Sequence, residues 1–114
     1  MKRSVLIVDD EPLILELLED MLRDMDCDVW TARHGVEALQ VLERNPHISV
    51  LLTDVNMPGM SGHELAERAR RVRPGLQVLM LSGRESDGHG YPIVRKPFAR
   101  HELHAAMSRT VGTC

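Results

Sequence analysis

Five short segments that read as buried strands alternate with segments of helical periodicity, and this alternation restricts the fold more than any other feature of the sequence. The strand segments are residues 5–8, 28–32, 50–53, 78–81 and 93–95. Strands that alternate with helices form a parallel sheet with helices on both faces. The sequence therefore predicts a doubly wound α/β fold with a five-stranded parallel sheet.

The helical segments repeat apolar residues at steps of three and four. The first begins near Pro12, and the stripe predicted to face the sheet comprises Leu13, Ile14, Leu17, Leu18, Met21 and Leu22. Further helices are predicted over 35–44, 63–72 and 100–109; their inward residues include Val36, Leu39, Leu42, Leu103, Ala106 and Met107. Only residues 83–90 separate Ser82 from Tyr91, so at most one helical turn is predicted there.

Length and charge restrict the function further. The 114 residues suit one domain, predicted to span residues 1–114. A net charge of -3 gives no electrostatic reason to expect nucleic acid or an anionic membrane as a partner. Cys27 and Cys114 read as two isolated thiols, and the apolar run after the start is broken at Asp9, too early for a signal peptide or membrane span. These features predict a cytoplasmic protein.

Polar residues follow four of the predicted strands. Asp9 and Asp10 follow the first, Asp54 the third, Ser82 the fourth and Lys96 the fifth. The carboxyl ends of parallel strands share one edge of the sheet, where such folds bind ligands. Three carboxylates, a hydroxyl and an ammonium group are therefore predicted to meet in one pocket.

This set of groups suits phosphoryl transfer. Clustered carboxylates repel one another unless a cation compensates, and Mg²⁺ prefers oxygen ligands while using only one or two carboxylates. A remaining aspartate could attack a phosphoryl donor and form an acyl phosphate, with an ammonium and a hydroxyl contacting the phosphoryl oxygens. Taken singly, each residue is more often a helix cap, a turn residue or a surface charge. Their conjunction at the strand ends favours the functional interpretation.

Three stretches closely resemble the receiver domain of two-component response regulators. They are residues 8–12 (VDDEP), 54–62 (DVNMPGMSG) and 96–98 (KPF), and the resemblance covers essentially the full chain. It implies a flavodoxin-like fold similar to that of chemotaxis regulators, with strand order 2-1-3-4-5. The helix that the family places between the fourth and fifth strands is predicted to be short or absent.

The resemblance also implies a role for each residue at the strand ends. Asp54 is the implied phosphoacceptor. Asp10 and Asp54 are the implied direct Mg²⁺ ligands, with the backbone carbonyl of Asn56 as a third ligand and Asp9 acting through water. Mg²⁺ is thus the expected cofactor.

The remaining implied roles concern the phosphoryl group. Ser82 and Lys96 are expected to contact it, and the Lys96–Pro97 peptide bond is expected to be cis. Asn56 and Arg84 are expected to flank the path of the water that hydrolyses the acyl phosphate. We hypothesise that Arg84 shields the phosphoryl group; the alternative is that it is a solvated loop residue. Ile93 departs from the family pattern, since many receivers carry an aromatic switch residue at this position and here Tyr91 lies two residues earlier.

The expected partner is a sensor histidine kinase or a histidine phosphotransfer protein, with output through an unknown downstream protein or onward phosphotransfer. A receiver promotes only its own phosphorylation and dephosphorylation and is not expected to turn over another substrate. Two alternatives stay open. One is a phosphorylation-independent binding module with this fold. The other is an aspartyl-phosphate phosphatase, although the sequence Asp9-Asp10-Glu11 departs from the pattern of those enzymes.

Overall fold

The computed structural model describes residues 3–83 and 90–111. These residues form five strands and four helices in strict alternation up to β4. The strands are β1 (Ser4–Val8), β2 (Asp28–Ala32), β3 (Val50–Asp54), β4 (Gln77–Ser82) and β5 (Ile93–Arg95). The helices are α1 (Pro12–Asp24), α2 (Gly35–Arg44), α3 (Gly62–Val72) and α4 (Arg100–Val111).

All five strands belong to one parallel sheet in the order β2-β1-β3-β4-β5. The predicted fold class and strand order are confirmed. The register places Val8 beside Thr53, Asp54 beside Leu81 and Ser82 beside Arg95. The carboxyl ends of β1, β3, β4 and β5 therefore lie at one edge of the sheet.

The core has one layer on each face of the sheet. Val5 and Ile7 of β1 pack with α1 and α4, whereas Leu6 and Val8 pack with α2 and α3. This split follows from the strand geometry, in which successive side chains point to opposite faces. β1 and β3 are buried along their whole length and carry mainly apolar residues on both faces, as strands inside a parallel sheet usually do.

The predicted helix stripes are partly wrong. Leu13 and Leu17 of α1 are 79% and 43% exposed, and Val36 of α2 is 56% exposed. A helix rotates by about 100° per residue, so a stripe that includes every apolar residue is wider than the face that reaches the sheet. The buried residues of α1 are Leu15, Leu18, Met21 and Leu22. In α4 the predicted inward residues Leu103, Ala106 and Met107 are buried.

The side chain of Arg73 joins the ends of α2 and α3. From its position at the C-terminus of α3, its guanidinium group donates hydrogen bonds to the carbonyls of Leu42 (2.6 Å), Ile48 (2.9 Å) and Asn45 (3.3 Å). The last carbonyls of a helix have no partner within the helix. Arg73 supplies such partners at the end of α2 and thereby holds the two helices together at the edge opposite the predicted pocket.

Three remaining sequence expectations concern other parts of the chain. The prediction of at most one helical turn between Ser82 and Tyr91 falls on residues 84–89, which lie outside the described residues. Cys27 is buried and disulfide-bonded, so its interpretation as an isolated thiol is wrong, while Cys114 lies outside the described residues. Within the described ranges, no helix is both long and apolar enough to cross a membrane.

Candidate functional site

The structure brings the predicted acidic residues and Lys96 together. One carboxylate oxygen from each of Asp9, Asp10 and Asp54 lies within 4.8 Å of the others. The ammonium nitrogen of Lys96 lies 2.8 Å from Asp9 Oδ2 and 3.5 Å from Asp54 Oδ2. Asp9, Asp10 and Lys96 directly follow their strands, whereas Asp54 is the last residue of β3. The juxtaposition predicted from the strand ends is present.

Asp9 is the most enclosed member of this cluster. Its side chain is fully buried and accepts hydrogen bonds at both oxygens, from the backbone amide of Glu11 (2.9 Å) and from Lys96 (2.8 Å). A buried carboxylate needs a partner of opposite charge, because the protein interior solvates charge poorly. Lys96 therefore compensates Asp9 first, and it does so from the far end of the chain.

The negative charge of Asp54 is less completely compensated than that of Asp9. Burial raises the pKa of its carboxyl, with a further rise from Asp9, while Lys96 and the backbone amide of Asn56 (3.3 Å from Asp54 Oδ1) oppose the rise. Burial prevails, so the pKa of Asp54 lies above its ordinary value. The carboxylate is thus poorly solvated and incompletely compensated, and a further cation nearby would stabilise its ionised form.

Lys96 is held by main-chain and side-chain contacts. Its backbone amide donates to the carbonyl of Ser82 at 2.7 Å, and the Lys96–Pro97 peptide bond is cis, as expected. Burial alone would lower the pKa of the ammonium group. The hydrogen bond to Asp9 and the charges of Asp54, Asp9 and Glu11 outweigh burial and raise that pKa, which keeps Lys96 positively charged.

Ser82 and Asn56 also lie at this edge, with different exposure. Ser82 is fully buried and ends β4. Asn56 is exposed in the loop after β3, and its amide contacts the Asp54 carboxylate. Arg84 lies outside the described residues. Ile93 is half-buried on β5 and packs against the core layer under α2 and α3.

The donor atoms of the acidic cluster suit a hard divalent cation. Its three carboxylates all offer oxygen, and Asp10 is exposed while Asp9 and Asp54 are buried, so the cluster is open to solvent on one side. Mg²⁺ commonly uses one or two carboxylates and keeps several waters, which an open site allows. The cluster could therefore hold a metal ion, and its chemistry fits Mg²⁺.

A tight loop after β3 supports the cluster. The backbone amide of Gly62 donates to the carbonyl of Val55 at 2.8 Å, which closes the loop on itself. A Cβ atom on Gly62 would lie 2.2 Å from the carbonyl oxygen of Asp54. At the other side of the loop, a Cβ on Gly35 would lie 2.5 Å from the sulfur of Met60. The contact at Gly62 is with backbone atoms and requires a glycine, whereas the shortest contact at Gly35 is with the movable end of a side chain.

Sequence reasoning missed these supporting residues. Gly62 was visible within the stretch 54–62, but its contact with Asp54 depends on where the loop returns. Thr53, whose hydroxyl donates to the Asp54 carbonyl at 3.0 Å, reads in the sequence as an ordinary strand residue. The available signal was one hydroxyl residue in a strand that is otherwise apolar up to Asp54.

A comparison of the sequence with known families decides the family. The model of the family described as the response regulator receiver domain matches residues 5–108. The chain belongs to this family. The receiver domain resembles a chemotaxis protein CheY homologue from Campylobacter jejuni, with 40% identity over 121 residues that cover 96% of the chain and 93% of that protein.

Two further similarities agree with this result. The receiver domain is 44% identical over 75 residues to the sensor histidine kinase RcsC of Escherichia coli; the match covers 66% of the chain but 8% of the kinase. The chain thus corresponds to a small part of that relative. The structure of this receiver domain superposes on the chemotaxis protein CheY4 of Vibrio cholerae with a TM-score of 0.90 and 29% identity. The superposition covers 97% of this chain and all of the CheY4 chain. The fold is therefore the flavodoxin-like fold of CheY.

Proposed function

We propose that this receiver domain accepts a phosphoryl group from a phosphohistidine onto Asp54 and acts as a switch or relay in a two-component phosphorelay. The observation that carries this proposal is the convergence of Asp54 with two more carboxylates and Lys96 at one edge of the sheet. Each group has a distinct task in phosphoryl transfer. The family membership supports the same conclusion.

In the proposed step, a carboxylate oxygen of Asp54 attacks the phosphorus of the donor. A P–O bond forms, the P–N bond to the donor imidazole breaks, and the imidazole nitrogen keeps the electron pair and takes up a proton. The attacking carboxylate must be ionised, and Lys96 favours that form although burial opposes it. Lys96 and the hydroxyl of Ser82 would contact the transferred phosphoryl oxygens.

Mg²⁺ is the proposed cofactor. Asp10, Asp54 and the backbone carbonyl of Asn56 would hold it directly, and Asp9 would act through water. The three carboxylates lie close together at the open edge of the site. When bound, the ion supplies positive charge that offsets the charge of the phosphoryl oxygens. The protein's own part is to keep the acidic groups close together and Lys96 charged.

The proposed phosphodonor is a sensor histidine kinase or a histidine phosphotransfer protein, which the similarity to a sensor kinase supports. Output would come from contacts with a downstream protein or from onward transfer, without turnover of an external substrate. We propose that the protein works in the cytoplasm, because the ATP that supplies the phosphoryl group of histidine kinases is found there. We also propose that residues 1–114 form one receiver domain.

The test is the mass of the intact protein after incubation with a small-molecule phosphodonor such as phosphoramidate, with and without Mg²⁺. The wild type should gain one phosphoryl group only with Mg²⁺, and Asp54→Asn should gain none. Asp20→Asn, which removes an exposed carboxylate on α1, is the matched control and should behave as the wild type. An adduct that persists in Asp54→Asn would place the acceptor elsewhere. Steady turnover of a phosphomonoester would favour a phosphatase.

Ile93 motivates a second candidate, a binding module that signals without phosphorylation. A half-buried aliphatic side chain on β5 has no hydroxyl or ring to move toward the phosphoryl site. The discriminating measurement is the affinity for a captured downstream partner under phosphorylating conditions. Equal affinity of wild type and Asp54→Asn would support this second candidate, while a loss in Asp54→Asn would support the phosphorelay.

A further inference from the structure

The backbone carbonyl of Asp54 is enclosed from two sides. The hydroxyl of Thr53 donates a hydrogen bond to its oxygen at 3.0 Å. From the other side Gly62 approaches so closely that an added Cβ would lie 2.2 Å from this oxygen and 3.0 Å from the carbonyl carbon. Any side chain at position 62 would therefore push against backbone atoms of Asp54, which a rotamer change cannot relieve.

The same peptide group is held at its other end. The amide of Val55, which shares the peptide plane with the Asp54 carbonyl, donates to Leu81 on β4 at 2.9 Å. Since a peptide unit is planar, fixing its oxygen and its N–H fixes the orientation of the whole plane. That plane begins at the Cα atom that carries the Asp54 carboxylate. Its orientation therefore influences the direction of the carboxylate.

The two residue types are not the ones that local stability would select. Thr53 is fully buried in β3, where an apolar side chain would avoid the cost of burying a hydroxyl. Gly62 is the first residue of α3, where alanine has the higher helix propensity. The Asp54 carbonyl accounts for the threonine and for the shortest contact at position 62, because Thr53 supplies its hydrogen bond and Gly62 leaves it room; an added Cβ would also lie 2.9 Å from the Cα of Val55.

We propose that Thr53 and Gly62 are positioning residues for phosphoryl transfer. The Thr53 hydroxyl and the missing side chain of Gly62 form a carbonyl clamp that fixes the Asp54–Val55 peptide plane and thereby aims the Asp54 carboxylate. This inference rests on the proposed role of Asp54 as the phosphoacceptor. The clamp touches neither the phosphodonor nor the metal ligand oxygens, so it acts through the backbone alone.

The test uses Thr53→Val, which removes the donor while keeping the shape, and Thr53→Ser, which restores it. Gly62→Ala pushes on the carbonyl directly. The matched controls are Thr31→Val on β2 and Gly75→Ala, since Thr31 is exposed and a Cβ on Gly75 meets nothing within 4 Å. For each protein, urea unfolding defines conditions in which it is fully folded. The phosphorylation rate at saturating phosphoramidate and Mg²⁺, and the Mg²⁺ affinity by calorimetry, are then measured there.

We expect Thr53→Val to slow phosphorylation about tenfold and Gly62→Ala about 100-fold, because displacements near 1 Å at a reacting group have effects of this size. Thr53→Ser should recover most of the wild-type rate, and both controls should match the wild type. A purely structural role would lower stability in Thr53→Val but leave the saturated rate unchanged in the folded protein, and that result would overturn the clamp. If Gly62→Ala does not fold, the Thr53 series alone decides.

The outcome also separates this inference from the proposed function. If the wild type takes up no phosphoryl group at Asp54, the phosphoacceptor proposal fails. The Mg²⁺ affinity then judges the clamp, since the Asp54 carboxylate belongs to the acidic cluster in either case. An affinity reduced in Thr53→Val and restored in Thr53→Ser would support the clamp, and equal affinities would overturn it. If the wild type is phosphorylated and both Thr53 variants match it, only the clamp fails.

Discussion

Lys96 lies closer to Asp9 than to any other carboxylate it contacts among the described residues, with 2.8 Å between Nζ and Oδ2. Asp9 is fully buried and has no charged partner besides Lys96 among the contacts of the described residues. The raised pKa of Lys96 means that this pairing stabilises the fold fully below pH 10.5 and is lost only as the pH rises through the higher folded value. At neutral pH the pair is intact.

Substitution of Lys96 by methionine should therefore destabilise the protein by about 3 kcal/mol, because it leaves a buried charge uncompensated. Urea unfolding at neutral pH measures this loss. The double variant Lys96→Met/Asp9→Asn should recover most of it, since the remaining amide carries no charge. Additive losses in the two single variants and the double variant would show that Asp9 does not depend on Lys96.

Asp54→Asn should raise the free energy of unfolding at neutral pH, while abolishing phosphorylation. Burial raises the pKa of the Asp54 carboxyl above 3.8, so the folded state disfavours the charged form. This cost is fully present above the raised pKa and disappears as the pH falls through that pKa to values below 3.8, where the carboxyl is protonated in both states. The advantage of asparagine should shrink over the same range.

Unfolding free energies of wild type and Asp54→Asn, measured from neutral to acidic pH without Mg²⁺, test whether the stability difference shrinks on acidification. Asp20→Asn serves as the control, because that carboxylate is exposed on α1 and lies outside the acidic cluster. Its effect should stay within about 0.5 kcal/mol at neutral pH. A difference between wild type and Asp54→Asn that grows on acidification would contradict the environment described for Asp54.

Gly35→Ala should destabilise the protein by about 1–2 kcal/mol, although alanine favours a helix. The added Cβ would lie 2.5 Å from the sulfur of Met60 and 3.0 Å from its Cβ. The sulfur can rotate away, but the Cβ is attached to the loop backbone, so the loop itself must shift. Thermal and urea unfolding report the stability.

A double-mutant cycle identifies the contact. In a Met60→Ala background, Gly35→Ala should cost less than in the wild type, since the sulfur and Cγ atoms are gone. Gly75→Ala is the matched control because a Cβ there meets nothing within 4 Å. An identical cost of Gly35→Ala in both backgrounds would mean that the sulfur and Cγ of Met60 are not the obstacle.

Arg73→Ala should lower the free energy of unfolding by about 2 kcal/mol, because it removes hydrogen bonds to three carbonyls at and beyond the end of α2. Arg71→Ala, whose side chain is 73% exposed and pairs with Glu67 one helical turn earlier, should change it by less than about 0.5 kcal/mol. Urea unfolding of both variants makes the comparison. Equal effects would show that the carbonyl contacts contribute nothing beyond a surface charge.

The fold and the gathering of the site followed from the sequence because both depend on strand ends. Once five parallel strands are recognised, Asp9, Asp54, Ser82 and Lys96 must approach the same edge. What the sequence left open depends on packing between segments. Leu13 and Leu17 look as apolar as Leu18, and only the angle of α1 against the sheet leaves them exposed.

The supporting contacts were beyond sequence reasoning for a similar reason. The hydrogen bonds from Arg73 join it to residues 25 to 31 positions earlier in the sequence, and no local sequence pattern predicts them. In the sequence Gly62 reads as an ordinary loop glycine, and its role becomes visible only from its distance to the Asp54 carbonyl. The preference of Lys96 for Asp9 over Asp54 is a matter of 0.7 Å, the difference between 3.5 and 2.8 Å, which no spacing in the sequence encodes.

The pairing of Asp9 with Lys96 also affects how the protein is made. Asp9 leaves the ribosome before Lys96 does, because the two residues lie 87 positions apart in the sequence. Chains fold progressively as they emerge, but a nascent sheet containing β1 through β4 would still lack the counter-charge of Asp9. The sheet and the site are therefore completed together when β5 and Lys96 are added. Incomplete chains that lack them are less stable in the folded form.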